Sequence, residues 1–393
     1  MTGWRVPGRL EVLGKHTDYA GGRVLVCAVE RGLTVRGAPG SEGVRARSAA
    51  FPGQDVVLRA GEDPRLPPGH WGRYVQTVID RLTLNFGPVA PAELEFSHDL
   101  PPASGMSSSS ALLSATALTL ADLSGFPDTE LWRRHCSDRL ALAGYLAAIE
   151  HGGRYGDLDG WPGVGTSGGS LDHTGMLASE TGQISYVQFD PTAVLDRVPM
   201  PSGWVFVVAM SGVLAEKTGA ARDLYNRGPE TLKAFLGKWN EHTGRCDTSL
   251  QRALETVGGE SLIAVADDGY EHRRVKQFVQ ESGEYVPQAH EALRAGDLEA
   301  FGAIVDESQR EAVVGLENEI PETAALVALA QDLGAVTASS FGAGFGGSVW
   351  SMVHSEDADG YAEAWLERYQ REFDHPQATT IITGAASPGE RLA

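Results

Sequence analysis

The chain has 393 residues, 42% of them hydrophobic and 21% charged, with a formal net charge of −20; this excludes disorder and fibrous repeats, and the length implies two domains or one large bilobal body. The acidic excess would repel a phosphate backbone and no Lys/Arg cluster offsets it locally, so no nucleic-acid partner is expected. No run approaches the ~18 apolar residues that span a bilayer, the opening MTGWRVPGRL lacks the character of a signal peptide, and Cys27, Cys136 and Cys246 show neither CxxC nor Cys/His ligand spacing; the expectation is a cytoplasmic protein with no membrane, disulfide scaffold or structural zinc.

Residues 5–60 contain short β-branched runs, RVLVCAVE, GLTVRGAP, GVRARSA and DVVLRA, cut by Gly, Pro and Ser, which predicts a strand-rich opening. Residues 71–84 space apolar side chains at helical intervals, and residues 92–96 read as a further strand. A helix is predicted over 107–123, an Ala/Leu/Thr stretch without Pro or Gly that begins in a serine cluster, and another over 128–150. The following HGGRYGDLDGWPGVGTSGGS is too rich in glycine to be anything but loop. At PMPSG the composition breaks before the apolar run WVFVVAM, which places a domain boundary near residue 200 and gives domains 1–200 and 201–393. The second unit reads as helix-rich, with a helix start at Pro321 and Glu322, and closes on ASSFGAGFGGSVWSMV, a glycine loop feeding a strand.

Four places carry chemistry. GRLEVLGKHTDYAGG, residues 8–22, packs arginine, lysine, histidine and aspartate between glycines, a density that points to an active site. LPPASGMSSSSALLSA, residues 100–115, puts serines at a helix start, where unpaired amides and the helix dipole suit an anion; a turn and cap before a buried helix would read the same way. Glu150 ends a predicted helix and Asp172 follows Gly-Ser; taken alone, the first reads as a solvated helix end and the second as an ordinary turn residue. His16 and Asp18 suit a polar ligand, with no third nitrogen or sulfur at a spacing that would suggest a metal site.

These segments resemble the galactokinases of the GHMP family of small-molecule kinases. Their first signature runs Gly-Arg-x-Asn-x-x-Gly-Glu-His-Thr-Asp-Tyr-x-x-Gly, and Lys15 stands here in place of its glutamate. Their second, Pro-x-Gly-Gly-Gly-Leu-Ser-Ser-Ser-Ala, aligns with Gly105, Met106, Ser107, Ser108 and Ser109, with Ala103 and Ser104 replacing two glycines. Gly342 and Gly344 lie in GAGFGG, which resembles the family's Gly-Gly-Gly-Phe-Gly-Gly, while Ser339, Ser340 and Phe341 replace an Arg-Met-Thr. Trp71 and Tyr74, the helices of ALRAGDLEAFGAIVDESQ, and Tyr225 with Asn226 extend the likeness over nearly the whole chain.

The resemblance implies an α+β, two-lobed GHMP kinase fold, with an N-terminal lobe like ribosomal protein S5 domain 2, a ferredoxin-like C-terminal lobe and the site between them. It implies Asp172 as catalytic base with Arg9 beside it, and His16, Asp18, Tyr225 and position 15 on the sugar. It implies Trp71, Gly105, Ser107, Ser108, Ser109, Gly342 and Gly344 around ATP, and Mg2+ on Ser108 and Glu150. The partners implied are a small-molecule sugar and ATP, with a monomer or weak dimer expected. Lysine can donate a hydrogen bond but not accept one, so Lys15 admits an acidic sugar acceptor as an alternative to galactose, unless it turns to solvent or pairs with a neighbouring acid. A non-catalytic sugar sensor is the reading from another class.

Overall fold

A computed structural model describes residues 2–67, 69–101, 105–213 and 222–392. The replaced glycine positions, Ala103 and Ser104, fall outside the described residues. Strands β1 (Thr2–Leu13), β2 (Arg23–Pro39), β3 (Val44–Ser48) and β4 (Val56–Leu58) open the chain, followed by α1 (Gly72–Phe86) and β5 (Ala92–His98). The two runs RVLVCAVE and GLTVRGAP form the single strand β2. Its first half is a continuous buried run, covered on both faces, and its second half alternates buried with exposed. Helix α2 (Ser108–Ser124) is buried all round and so carries almost no polar face.

The helix expected over 128–150 is two: α3 (Glu130–His135) and α4 (Arg139–His151). The break is local chemistry, because the Asp138 side chain accepts from the backbone N–H groups of Leu140 and Ala141 and starts a new helix there. The glycine-rich stretch after α4 is loop, as expected, and delivers the chain to the short helix α5 (Leu171–Leu177). Strands β6 (Gln183–Phe189) and β7 (Thr192–Pro199) complete this part of the chain.

Strand β8 (Trp204–Met210) is followed by α6 (Arg222–Thr243), α7 (Leu250–Val257), α8 (Gly259–Val265) and α9 (Tyr270–Gln280), which runs through a π turn (Glu281–Tyr285) into α10 (Val286–Ala295). Then come α11 (Leu298–Leu316), α12 (Pro321–Asp332) with proline at its start, β9 (Thr337–Phe341), β10 (Ser348–His354), α13 (Ala358–Glu372), β11 (Thr379–Thr383) and β12 (Glu390–Leu392).

The strands make two sheets. An eight-stranded sheet runs β12-β1-β2-β5-β3-β4, with β6 and then β7 added at the other half of β2; all its pairings are antiparallel except β3 with β5. A four-stranded antiparallel sheet runs β11-β8-β10-β9. Alternation along β8 and β10 gives the smaller sheet two covered faces. Phe206, Val208, Trp350 and Met352 join the large core shared with β1, β2 and α11, whereas Val207, Ala209, Val349 and Val353 pack on Trp365 and Tyr369 of α13 and Leu326 of α12. Helices thus pack on two sheets whose strands are largely antiparallel, the α+β arrangement expected. Among the described residues no helix is long and apolar enough to cross a membrane.

Candidate active site

The first signature is a strand followed by a turn. Arg9 and Glu11 lie two residues apart on β1, so both side chains leave the same face. The strand ends at Gly14, whose φ of 107° puts it where a side chain is strained, and a Cβ there would sit 2.6 Å from the Cα of Val24. The chain then turns through His16, Thr17 and a short 3-10 segment at Asp18–Ala20. This turn is held from outside by the α9 bundle. Glu281 of the π turn accepts from the backbone N–H groups of Gly14 (2.8 Å) and Lys15 (3.0 Å), and its other oxygen accepts from Ser308 Oγ (2.7 Å). Gln277 donates to the carbonyl of Lys15, and the buried Arg274 donates to the carbonyl of His16 and to Tyr19 Oη.

Arg9 Nε and Nη2 reach the same oxygen of Asp172 at 2.9 and 2.8 Å, and Nη1 donates to the carbonyl of Gly105. Asp172 sits in the first turn of α5, with Ser110 Oγ of α2 donating to its second oxygen at 3.4 Å. One guanidinium thus ties β1 to α5 and to the segment before α2. Beside this pair lies a cavity lined by Glu11, His16, Asp18, Tyr19, His151, Asp172, Tyr225 and Gly342, among others. Asp18 accepts from the backbone N–H of Leu171 (3.1 Å), and burial raises its carboxyl above the ordinary carboxylate range. Tyr225 stands with its ring 6.2 Å from that of His16. Neighbouring Asn226 accepts from the N–H of Ser167 in the glycine-rich loop.

Gly342 reaches the cavity from the smaller sheet. A Cβ on it would lie 2.9 Å from the carbonyl of Gly105, and the Phe341 ring sits 5.9 Å from the Arg9 guanidinium, so the two glycine motifs meet across the cleft. Gly344 packs against Asn318, whose amide reaches His16 Nε2 at 3.3 Å. Ser107 takes the helix N-cap position of α2 at φ 60° without capping it by a side-chain bond; its Oγ is buried and has no partner among the described residues. Ser108 and Ser109 occupy the open first turn. Glu150 is buried at the end of α4, with Oε2 3.2 Å from Nε2 of the equally buried His173. Trp71 does not line this cavity: it is buried at the start of α1, stacked on His70 and tilted on Phe96.

Lys15 does not turn to solvent. It is 4% exposed, its Nζ donates to Gln309 Oε1, and it lines a second, smaller cavity that shares His16 and Gly342 with the first. Burial lowers its pKa, opposed by the carboxylates of Glu281 and Glu319. The same Gln309 oxygen accepts from Ser339 Oγ and from Ser340 N and Oγ, each at 3.1 Å, while its amide donates to Glu319 at 3.0 Å. The two departures at Lys15 and Ser339–Ser340 are therefore one. Where the galactokinase motifs carry an acid at 15 and an arginine at 339, this chain carries a lysine and a serine, both meeting at Gln309.

Glu11 escapes the sequence reading, though the signal was in the motif, which has asparagine there. Its carboxyl is 5% exposed, Oε1 has no hydrogen-bond partner among the described residues, and burial pushes its pKa up to about 7. Glu281, Arg274, Gln309 and Asn318 also escape it, because each acts from a helix or loop far along the chain.

With this geometry in place, comparison with known proteins is direct. Residues 2–39 match the galactokinase galactose-binding signature, residues 73–157 the GHMP kinases N-terminal domain and residues 289–371 the GHMP kinases C-terminal region. A galactokinase of Glaesserella parasuis serovar 5 is 26% identical over 98% of this chain and 93% of its own, and one of Halalkalibacterium halodurans is 27% identical over 94% and 87%. The crystal structure of Lactococcus lactis galactokinase complexed with galactose superposes with a TM-score of 0.82 at 22% identity, covering 99% of this chain and 94% of that one. Two lobes, a sugar-binding signature at the front of the first and GHMP matches in both make this chain a member of the galactokinase-type GHMP kinases, phosphotransferases that take an alcohol group as acceptor.

Proposed function

We propose that the chain is an ATP-dependent sugar-1-kinase that transfers the γ-phosphoryl group to the anomeric hydroxyl of galactose or a close uncharged relative. The observation that carries this reading is the Arg9–Asp172 pair opening onto a polar cavity lined by His16, Asp18 and Tyr225. Asp172 accepts the hydroxyl proton and aims the oxygen at phosphorus; Arg9, anchored on Gly105, holds that carboxylate in register with the start of α2. The open first turn of α2, with Ser107, Ser108 and Ser109, offers backbone amides and hydroxyls to phosphate oxygens. What favours the neutral acceptor over the acidic-sugar alternative is that Lys15 is buried and directs one of its N–H groups to Gln309.

A magnesium ion fits the oxygen donors here. Glu150 and Ser108 supply one carboxylate and one hydroxyl, a set that suits a hard cation keeping water and phosphate oxygens as its other ligands. Bound there, Mg2+ would neutralise charge developing on the phosphates. Asp172 bonds Ser110 of α2, and its neighbour His173 meets Glu150 of α4, so the pieces form one connected set.

The last turn of α4 is also braced by the glycine-rich loop: a Cβ on Gly163 would lie 2.1 Å from the carbonyl oxygen of Glu150. Gly163→Ala is expected to displace that helix end and raise the Mg2+ concentration giving half-maximal rate, read from a magnesium titration; an unchanged titration counts against Glu150 as a ligand.

ADP release from Mg-ATP across galactose, glucose, arabinose, galacturonate and glucuronate tests the function. Turnover of galactose or another neutral sugar is expected. Turnover confined to a uronate would revive the acidic acceptor, and sugar binding without ADP release would make the protein a sensor.

A further inference from the structure

Of the polar groups facing the acceptor cavity, Glu11 is the one whose situation the mechanism leaves unexplained. It is 95% buried in the sense that 5% of its surface remains exposed, and Oε1 has no hydrogen-bond partner among the described residues. The two cations nearest in sequence are spent elsewhere: Arg9 on Asp172 and the carbonyl of Gly105, Lys15 on Gln309. A carboxyl buried without a partner destabilises the fold that holds it. Glu11 is itself one of the residues lining the cavity that also presents Asp18 and Asp172, so a ligand in that cavity can supply what the protein does not.

Resting on the sugar-kinase reading above, we propose that Glu11 is a specificity-determining residue. It hydrogen-bonds a hydroxyl of an uncharged acceptor sugar, other than the one Asp172 faces, and disfavours acceptors carrying a carboxylate. The chemistry suits a hydroxyl in either protonation state: the carboxylate accepts from it, the protonated acid donates to its oxygen. An anionic acceptor would instead meet Glu11 and Asp18 in a cavity whose guanidinium is already paired with Asp172, and like charges brought together across an interface oppose binding.

The test compares Glu11→Ala and Glu11→Gln with the native full-length protein. Thermal unfolding is measured with and without galactose, and kcat and KM with galactose and galacturonate. Glu11→Ala is expected to melt no lower than the native chain without sugar, because an unsatisfied carboxyl has been removed, yet to lose the galactose-induced shift. Its KM for galactose should rise about 10–100-fold with kcat far less affected. Glu11→Gln, which keeps the hydrogen bond and loses the charge, should recover much of that KM and lower the galactose-over-galacturonate preference by about 10-fold. An unchanged KM in Glu11→Ala overturns the inference, as does a lower melting point with KM intact, which marks a structural role, or an unchanged preference in Glu11→Gln. If the native chain shows neither ADP release nor a galactose-dependent shift, the sugar-kinase reading itself falls and takes this one with it. If the native chain responds and Glu11→Ala responds equally, only the inference about Glu11 falls.

Discussion

Asp172→Asn is expected to lower kcat by roughly 10²–10⁴-fold, the usual contribution of a positioned general base, while ATP affinity stays as in the native chain. Asparagine is the informative substitution. It keeps an oxygen for Arg9, whose side chain is only 2% exposed, whereas alanine would strand a buried guanidinium at a cost of about 3–5 kcal/mol and confound chemistry with folding. Steady-state rates and nucleotide binding measured on the same preparation separate the two effects. A near-native kcat would remove Asp172 as the base, and loss of ATP binding together with kcat would mean that the Arg9–Asp172 pair holds the segment around Gly105 rather than the acceptor.

The second large effect is expected at a residue that touches no substrate. Glu281→Ala removes the acceptor for the backbone N–H groups of Gly14 and Lys15 and for Ser308 Oγ, all at 2.7–3.0 Å. Glu281 is 1% exposed, so water does not replace the lost oxygens. Each of the three stranded donors costs about 1–3 kcal/mol, which gives roughly 3–9 kcal/mol in all and a clear fall in the urea midpoint. Because those amides belong to the turn carrying His16 and Asp18, sugar KM should rise more than the KM for ATP. Glu281→Gln, with one acceptor oxygen left, should fall between. A native urea midpoint in Glu281→Ala would show that the turn holds its shape without the π turn beneath it.

The contrast between these two residues shows what was legible in the sequence. Asp172 stood out because it lies in a recognisable motif, and the structure brings it into contact with Arg9, its expected neighbour. Glu281 lies mid-helix with nothing around it to distinguish it, and its bonds to Gly14 and Lys15 span more than 260 residues. The helix break at Asp138 is intermediate: the cap is local and readable, but the apolar pattern on either side of it outweighed a single aspartate.

The sequence by itself determined the strand-rich opening, the buried helix after the serine cluster and the glycine loops, and it singled out the motifs that the structure brings to one cleft. These follow from short-range causes: hydrophobic period, capping side chains and backbone freedom at glycine. Only the tertiary structure decided where Lys15 points, that Ser339 and Ser340 share its partner Gln309, which lies 294 residues along the chain from Lys15, and that Glu11 lines the cavity while one of its oxygens has no partner among the described residues. A buried polar group takes its partner from whatever the packed elements bring within hydrogen-bond reach, and desolvation makes that choice costly to leave open. That selection is made between elements, after they pack, and leaves no local pattern in the chain.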